Sequence, residues 1–167
     1  WIFSSSVRQN IIFGSDMDEA RYQNVIKCCA LEKDLQLLPY GDKTIIGERG
    51  ASLSGGQKAR INLARAVYKE ADIYLLDDPL SAVDTLVCKD IFHNCIQTFL
   101  KDKTVILVTH QIQYLKHVDY IIALENGSVQ LQGTVTDFEK SGFDYAKYLD
   151  NKEGNSIDNM ENISKIK

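Results

Sequence analysis

The spacing of apolar residues divides the 167-residue chain into a helical first part and a strand-bearing second part. Over 1–14 (WIFSSSVRQNIIFG), apolar clusters alternate with small polar residues and close on Gly14. Asp16 to Asp18 offer a helix cap. The apolar face through Ala20, Val25, Cys28 and Leu31 then predicts a helix over 18–31. A shorter helix is expected over 32–38, ending before Pro39, followed by a polar, glycine-punctuated loop over 40–52. Ile61, Ala64 and Val67 recur at three-residue spacing and predict a helix over 54–69.

After residue 70 the pattern changes. The short apolar run over 72–76, bounded by Asp77-Asp78-Pro79, reads as a buried parallel strand rather than an alternating surface strand. Val83, Val87, Ile91, Cys95 and Phe99 form one helical stripe over 81–100, and 104–109 (TVILVT) reads as a second buried strand ending at His110. Residues 111–117 look helical, and Asn126-Gly127 is a hairpin signal between strands over 119–124 and 128–131. Strand, helix and strand in succession indicate a right-handed parallel unit. The expected fold class is therefore α/β: a helical subdomain over 1–70, a parallel-sheet core with a C-terminal β-hairpin over 71–149, and a flexible polar linker or tail over 150–167.

Composition narrows the function classes. A net charge of −4 argues against a nucleic-acid partner. No apolar run reaches the roughly 18 residues that a membrane span needs. Cys28, Cys29, Cys88 and Cys95 show no CxxC pairing and no metal-like grouping with His93, His110 or His117, so all four are expected as buried, reduced thiols. The opening Trp1-Ile2-Phe3 is apolar and aromatic, and reads as a start inside a domain.

Three stretches carry candidate chemistry. In LSGGQKAR (53–60), Ser54 as N-cap leaves the amides of Gly55, Gly56 and Gln57 at an exposed helix start. Amides and helix dipole there favour an anion, and glycines let an oxygen-rich ligand approach the backbone. Lys58 and Arg60 sit in the first two turns, where cations oppose the dipole by about 0.3–1 kcal/mol each, a repulsion that a bound anion would offset. The plainer reading is a Ser-Gly-Gly loop that only caps a surface helix. Asp77 falls at the C-terminal edge of a parallel strand, where α/β folds bind ligands, and its carboxylate is suited to Mg²⁺. Asp78 beside it can orient or deprotonate a water, although Asp-Asp-Pro also makes an ordinary turn. His110 ends the neighbouring strand at the same level of strand tips, which favours a ligand-sensing role over a structural one; Ser81-Ala-Val-Asp84 matches a capping box with Asp84 at its third helical position. The run from Gly50 to Gly55 has the spacing of a P-loop, but Gly56-Gln57 follows where Lys-Ser/Thr is needed.

Taken in order, LSGGQ at 53–57, IYLLDDP at 73–79, SAVD at 81–84 and VTH at 108–110 resemble the nucleotide-binding domain of ABC transporters over about residues 1–148. WIFSSSVRQNIIFG, ERGASLSGGQKARINLARAVY and LLDDPLSAVD narrow the likeness to the first such domain of the C subfamily, the multidrug-resistance-associated proteins. The resemblance implies a partial P-loop NTPase fold and ATP with Mg²⁺ as cofactors. It makes LSGGQ the signature, with Ser54, Gly55, Gly56 and Gln57 on the γ-phosphate bound to a partner domain. Asp77 becomes the Walker B metal ligand, Asp84 part of the D-loop and His110 the switch histidine. The implied partners are a second nucleotide-binding domain in a head-to-tail ATP sandwich and the coupling helices of transmembrane domains, on the cytoplasmic face of a membrane. Walker A and the Q-loop glutamine would fall upstream of Trp1, so these 167 residues alone are expected to be inactive.

One departure bears on chemistry. Most ABC ATPases carry Glu where Asp78 stands, one methylene longer. A well-placed general base contributes about 10²–10⁴ in rate, so a site relying on Asp78 is expected to bind ATP and hydrolyse it slowly. Two other readings stay open: a non-catalytic dimerisation module, and a soluble ABC protein of DNA repair or translation. The exporter-like opening stretch argues against the second.

Overall fold

The computed structural model describes residues 1–47 and 51–143, so the expected tail over 150–167 lies outside the described residues. The chain separates into two compact units, Trp1–Thr109 and His110–Lys167. Among the described residues no helix is long and apolar enough to cross a membrane.

The first unit begins with a two-residue strand, β1 (Ser5–Ser6), and a short helix, α1 (Val7–Ile12), for which Ser6 is the N-cap. Six residues are too few for a periodic signal, and the sequence pattern alone did not resolve this helix. Val7 and Ile11 are fully buried, and so is Asn10. The Asn10 amide is satisfied throughout: it donates to the carbonyls of Phe3 and Ser6, both at 3.0 Å, and accepts from Phe3 N and Arg65 Nη2.

Helix α2 (Glu19–Cys28) starts at the expected cap, Asp18, whose carboxylate accepts from Arg21 N at 3.0 Å. Its buried face is Tyr22, Val25, Ile26 and Cys28; Ala20, expected there, is exposed. The bulkier Tyr22 takes the core position, its ring edge-on to Tyr68 at 6.1 Å. Helix α3 (Glu32–Leu37) precedes a 3₁₀ turn and β2 (Ile45–Ile46), which pairs antiparallel with β1.

Helix α4 (Gly55–Tyr68) buries Ile61, Ala64 and Val67 as the spacing predicts, and packs on α1 and α2. Strand β3 (Ile73–Asp77) follows, then α5 (Thr85–Ile91), which runs on as a π-helical stretch over Phe92–Phe99, and then β4 (Thr104–Val108). β3 and β4 pair in parallel, Ile73 opposite Thr104 and Asp77 opposite Val108.

Two expectations change here. The strands were expected to be buried on both faces, but β3 alternates: Tyr74 and Leu76 are 4% and 5% exposed, Ile73 and Leu75 59% and 73%. Ile106 and Val108 of β4 are also more than half exposed. The sheet has two strands, and among the described residues only one of its faces is packed. The helix expected from 81 instead begins at Thr85, because Asp84 itself is the N-cap and its carboxylate accepts from Val87 N at 3.1 Å. Ser81 Oγ turns back to donate to the Asp78 carbonyl at 3.0 Å, so the capping box read from Ser81 does not form.

The second unit holds a 3₁₀ helix over Ile112–His117, where the sequence predicts helix, then a hairpin and an α-helix. β5 (Ile121–Glu125) and β6 (Ser128–Gly133) pair antiparallel around Asn126 and Gly127, whose φ values of 51° and 75° are those of a tight primed turn. Helix α6 (Val135–Ser141) is closed by a Thr134–Asp137 capping box, ends on Gly142 at φ 68°, and buries Phe138.

Candidate functional site

Ser54 is the N-cap of α4, as the sequence predicts, and a complete capping box forms with Gln57. Ser54 Oγ accepts from Gln57 N at 3.2 Å, and Gln57 Oε1 accepts from Ser54 N at 2.9 Å. This fixes the first turn and leaves the amides of Gly55 and Gly56 without an acceptor among the described residues. They are the two donors at this helix start that an anion can still take.

Asp34 of α3 is the residue that sequence reasoning missed. Its Oδ1 accepts from Gln57 Nε2 at 2.9 Å and its Oδ2 pairs with Arg60 Nη2 at 2.6 Å. Both side chains of the pair are largely buried, 10% exposed for Arg60 and 17% for Asp34. The repulsion expected between Arg60 and the helix dipole is thus offset from within the chain. Asp34 stands 23 residues from Gln57, and no local pattern links them.

The glycines also serve an internal purpose. A Cβ built on Gly56 would lie 3.0 Å from the Ala82 carbonyl oxygen, and one on Gly55 would lie 3.9 Å from Ala82 Cβ. Gly56 therefore lets the loop over 81–84 approach the start of α4, which brings SAVD beside SGGQ within one unit. Asp84 is exposed there, its carboxylate engaged in capping α5.

Asp77 and Asp78 lie where β3 ends, as expected. Together with Ala59, Asn62, Leu63 and Ala66 of α4 they line an open cleft of about 290 Å³. Asp77 is exposed, and its carboxylate has neither hydrogen bond nor ion pair among the described residues. Asp78 takes a left-handed backbone, φ 42°, a region that Asp enters more readily than most residues. The turn is held by Asp78 N donating to Val108 O at 2.9 Å and by Ser81 N donating to Asp78 O at 3.3 Å. The exposed, unpartnered Asp77 carboxylate with the half-buried Asp78 beside it offers hard oxygen donors, and such donors fit Mg²⁺. His110 is exposed and is the first residue of the second unit, two positions beyond β4.

The thiols require a further correction. All four cysteines are free and buried, as expected, but Cys28, Cys29 and Cys95 converge, where the sequence showed no metal-like grouping. Residues adjacent in sequence, or far apart on different helices, follow no ligand-spacing motif, so only the packing of α2 against the π-helical stretch reveals the cluster.

The ABC transporter family pattern matches residues 2–81. Over 149 residues the chain is 60% identical to ATP-binding cassette sub-family C member 4 of Mus musculus, covering 89% of this chain and 11% of the relative. The Homo sapiens protein of the same name is 57% identical over 155 residues, 92% of this chain and 12% of the relative. "Probable multidrug resistance-associated protein lethal(2)03659" of Drosophila melanogaster is 58% identical over 142 residues, 85% of this chain and 10% of the relative. The chain thus spans about a tenth of the length of these relatives.

Proposed function

The chain belongs to the ABC transporter family, in its C subfamily, as part of a nucleotide-binding domain, and we propose that it lends its signature motif to an ATP site shared with a second such domain. The observation that carries this reading is the pre-organised start of α4. The capping box holds the backbone in place while the Gly55 and Gly56 amides stay free for an anion that the chain itself does not supply. Ser54 and Gln57 would border the same phosphate. Asp84, beside them through the Gly56 approach, would line the domain–domain seam.

The carboxylates of β3 belong in this reading to a different nucleotide, the one held by the chain's own domain. Asp77 would hold Mg²⁺, which when bound supplies positive charge to phosphate oxygens. Asp78 would position a water, and its short side chain makes it a weak general base. His110 is assigned as the switch histidine on the family pattern alone. The whole protein is read as an exporter of organic anions or drugs at the cytoplasmic face of a membrane, coupled to its transmembrane domains through surfaces near Trp1–Phe13.

The test is ATP-dependent association of the 167-residue chain with a nucleotide-binding domain that carries a Walker A motif, followed by sedimentation. Ser54→Arg places a long cation at the phosphate position and is expected to weaken that association at least tenfold. Unchanged association would overturn the signature assignment. In the intact transporter, Asp78→Glu is expected to raise ATP turnover by at least tenfold, within the range of about 10²–10⁴ that a placed base contributes. Unchanged turnover would refute the role given to Asp78.

A further inference from the structure

Three thiols from two helices meet in the interior of the first unit. Cys28 closes α2, Cys29 follows it, and Cys95 lies in the π-helical stretch after α5. Their sulfurs all lie within 4.8 Å of one another, with Cys28 and Cys29 Sγ 4.0 Å apart. Cys29 and Cys95 have no solvent exposure and Cys28 is 6% exposed. Cys88 stays apart from them, its sulfur donating to the carbonyls of Leu80 at 3.4 Å and Val83 at 3.3 Å.

The geometry suits an ion better than packing alone requires. Three thiolates each about 2.3 Å from a shared centre, spread evenly in a plane, lie roughly 4 Å apart. The cluster already has about that spacing. A soft cation can replace the protons of thiols held this close together. Thiolate sulfur selects Cu(I) and Zn²⁺ among common ions. Zn²⁺ completes a tetrahedron with a fourth ligand, whereas the described residues bring three sulfurs to a place sealed from solvent.

We propose that Cys28, Cys29 and Cys95 form a closed three-sulfur site for Cu(I), which would tie the C-terminal end of α2 to the helix that follows α5. Binding releases the thiol protons and changes no oxidation state.

The experiment is an anaerobic Cu(I) titration of the reduced 167-residue chain against the chelator bicinchoninate. One equivalent is expected, with three sulfur neighbours in X-ray absorption and a higher melting temperature. Cys95→Ser is expected to lower affinity at least tenfold and abolish the melting shift, while Cys88→Ser keeps both. Because a buried substitution can unfold the chain, native-state alkylation of the unsubstituted chain provides a second readout. Alkylation reaches these buried thiols only through transient opening, and Cu(I) should slow it at three of the four. Retained affinity in Cys95→Ser, a two-sulfur spectrum or unprotected thiols would overturn the proposal. So would a Cys95 disulfide that forms in air with no Cu(I) uptake after reduction, which would make the cluster an oxidation site.

Discussion

The start of α4 and the end of β3 are both polar termini in one unit, yet the chain treats them in opposite ways. At the start of α4 nearly every polar group has an internal partner. Ser54 and Gln57 cap each other, and Asp34 takes both the Gln57 amide and the Arg60 guanidinium. At the end of β3 the Asp77 carboxylate has no side-chain partner among the described residues and faces an open cleft with Asp78. The first terminus is a rigid frame with two amides to spare. The second is solvated negative charge open to an outside cation. A buried ion pair costs desolvation whichever ligand is present, so its return is a fixed geometry; exposed carboxylates hold no geometry and cost little until a ligand arrives.

This contrast predicts graded consequences. Asp34→Ala strands the largely buried Arg60 charge and should cost about 3–5 kcal/mol, read as a lower midpoint in chemical denaturation. A loss under about 1 kcal/mol would mean that the pair is solvent-screened and that the frame is not rigid. Gly56→Ala should cost about 1–3 kcal/mol, since the new Cβ meets the Ala82 backbone oxygen at 3.0 Å and the loop must move. Amide exchange at 81–84 should rise with it, and unchanged exchange would separate that loop from the signature turn. The smallest effect is expected of Asp77→Asn. Stability should stay within about 0.5 kcal/mol while Mn²⁺ binding, followed by electron paramagnetic resonance, is lost. A marked destabilisation would show that Asp77 has a structural partner and that the two termini are built alike.

Legibility in the sequence tracked the range of the interaction involved. The Ser54 cap, the α2 cap at Asp18, the apolar face of α4 and the Asn126-Gly127 turn all depend on residues within a few positions, and each forms as expected. The Ser81 capping box failed although its spacing was right, because the Ser81 hydroxyl found the Asp78 carbonyl in the preceding turn. Tyr22 displaced Ala20 from the core of α2 because a large ring filled space that only the neighbouring Tyr68 defines. Asp34 and the thiol cluster left no trace in the spacing of residues.

The sequence by itself determined the order of motifs, the family they belong to and the helix caps, because these rest on residue identity and short-range hydrogen bonds. The tertiary structure decided which acid balances Arg60, how closely the Ala82 carbonyl approaches Gly56, and which three of four cysteines meet. It also decided that, among the described residues, β3 and β4 are packed on one face only. Those outcomes depend on which helices and loops lie against one another. Packing brings together residues tens of positions apart, so their neighbours cannot be read from the chain order.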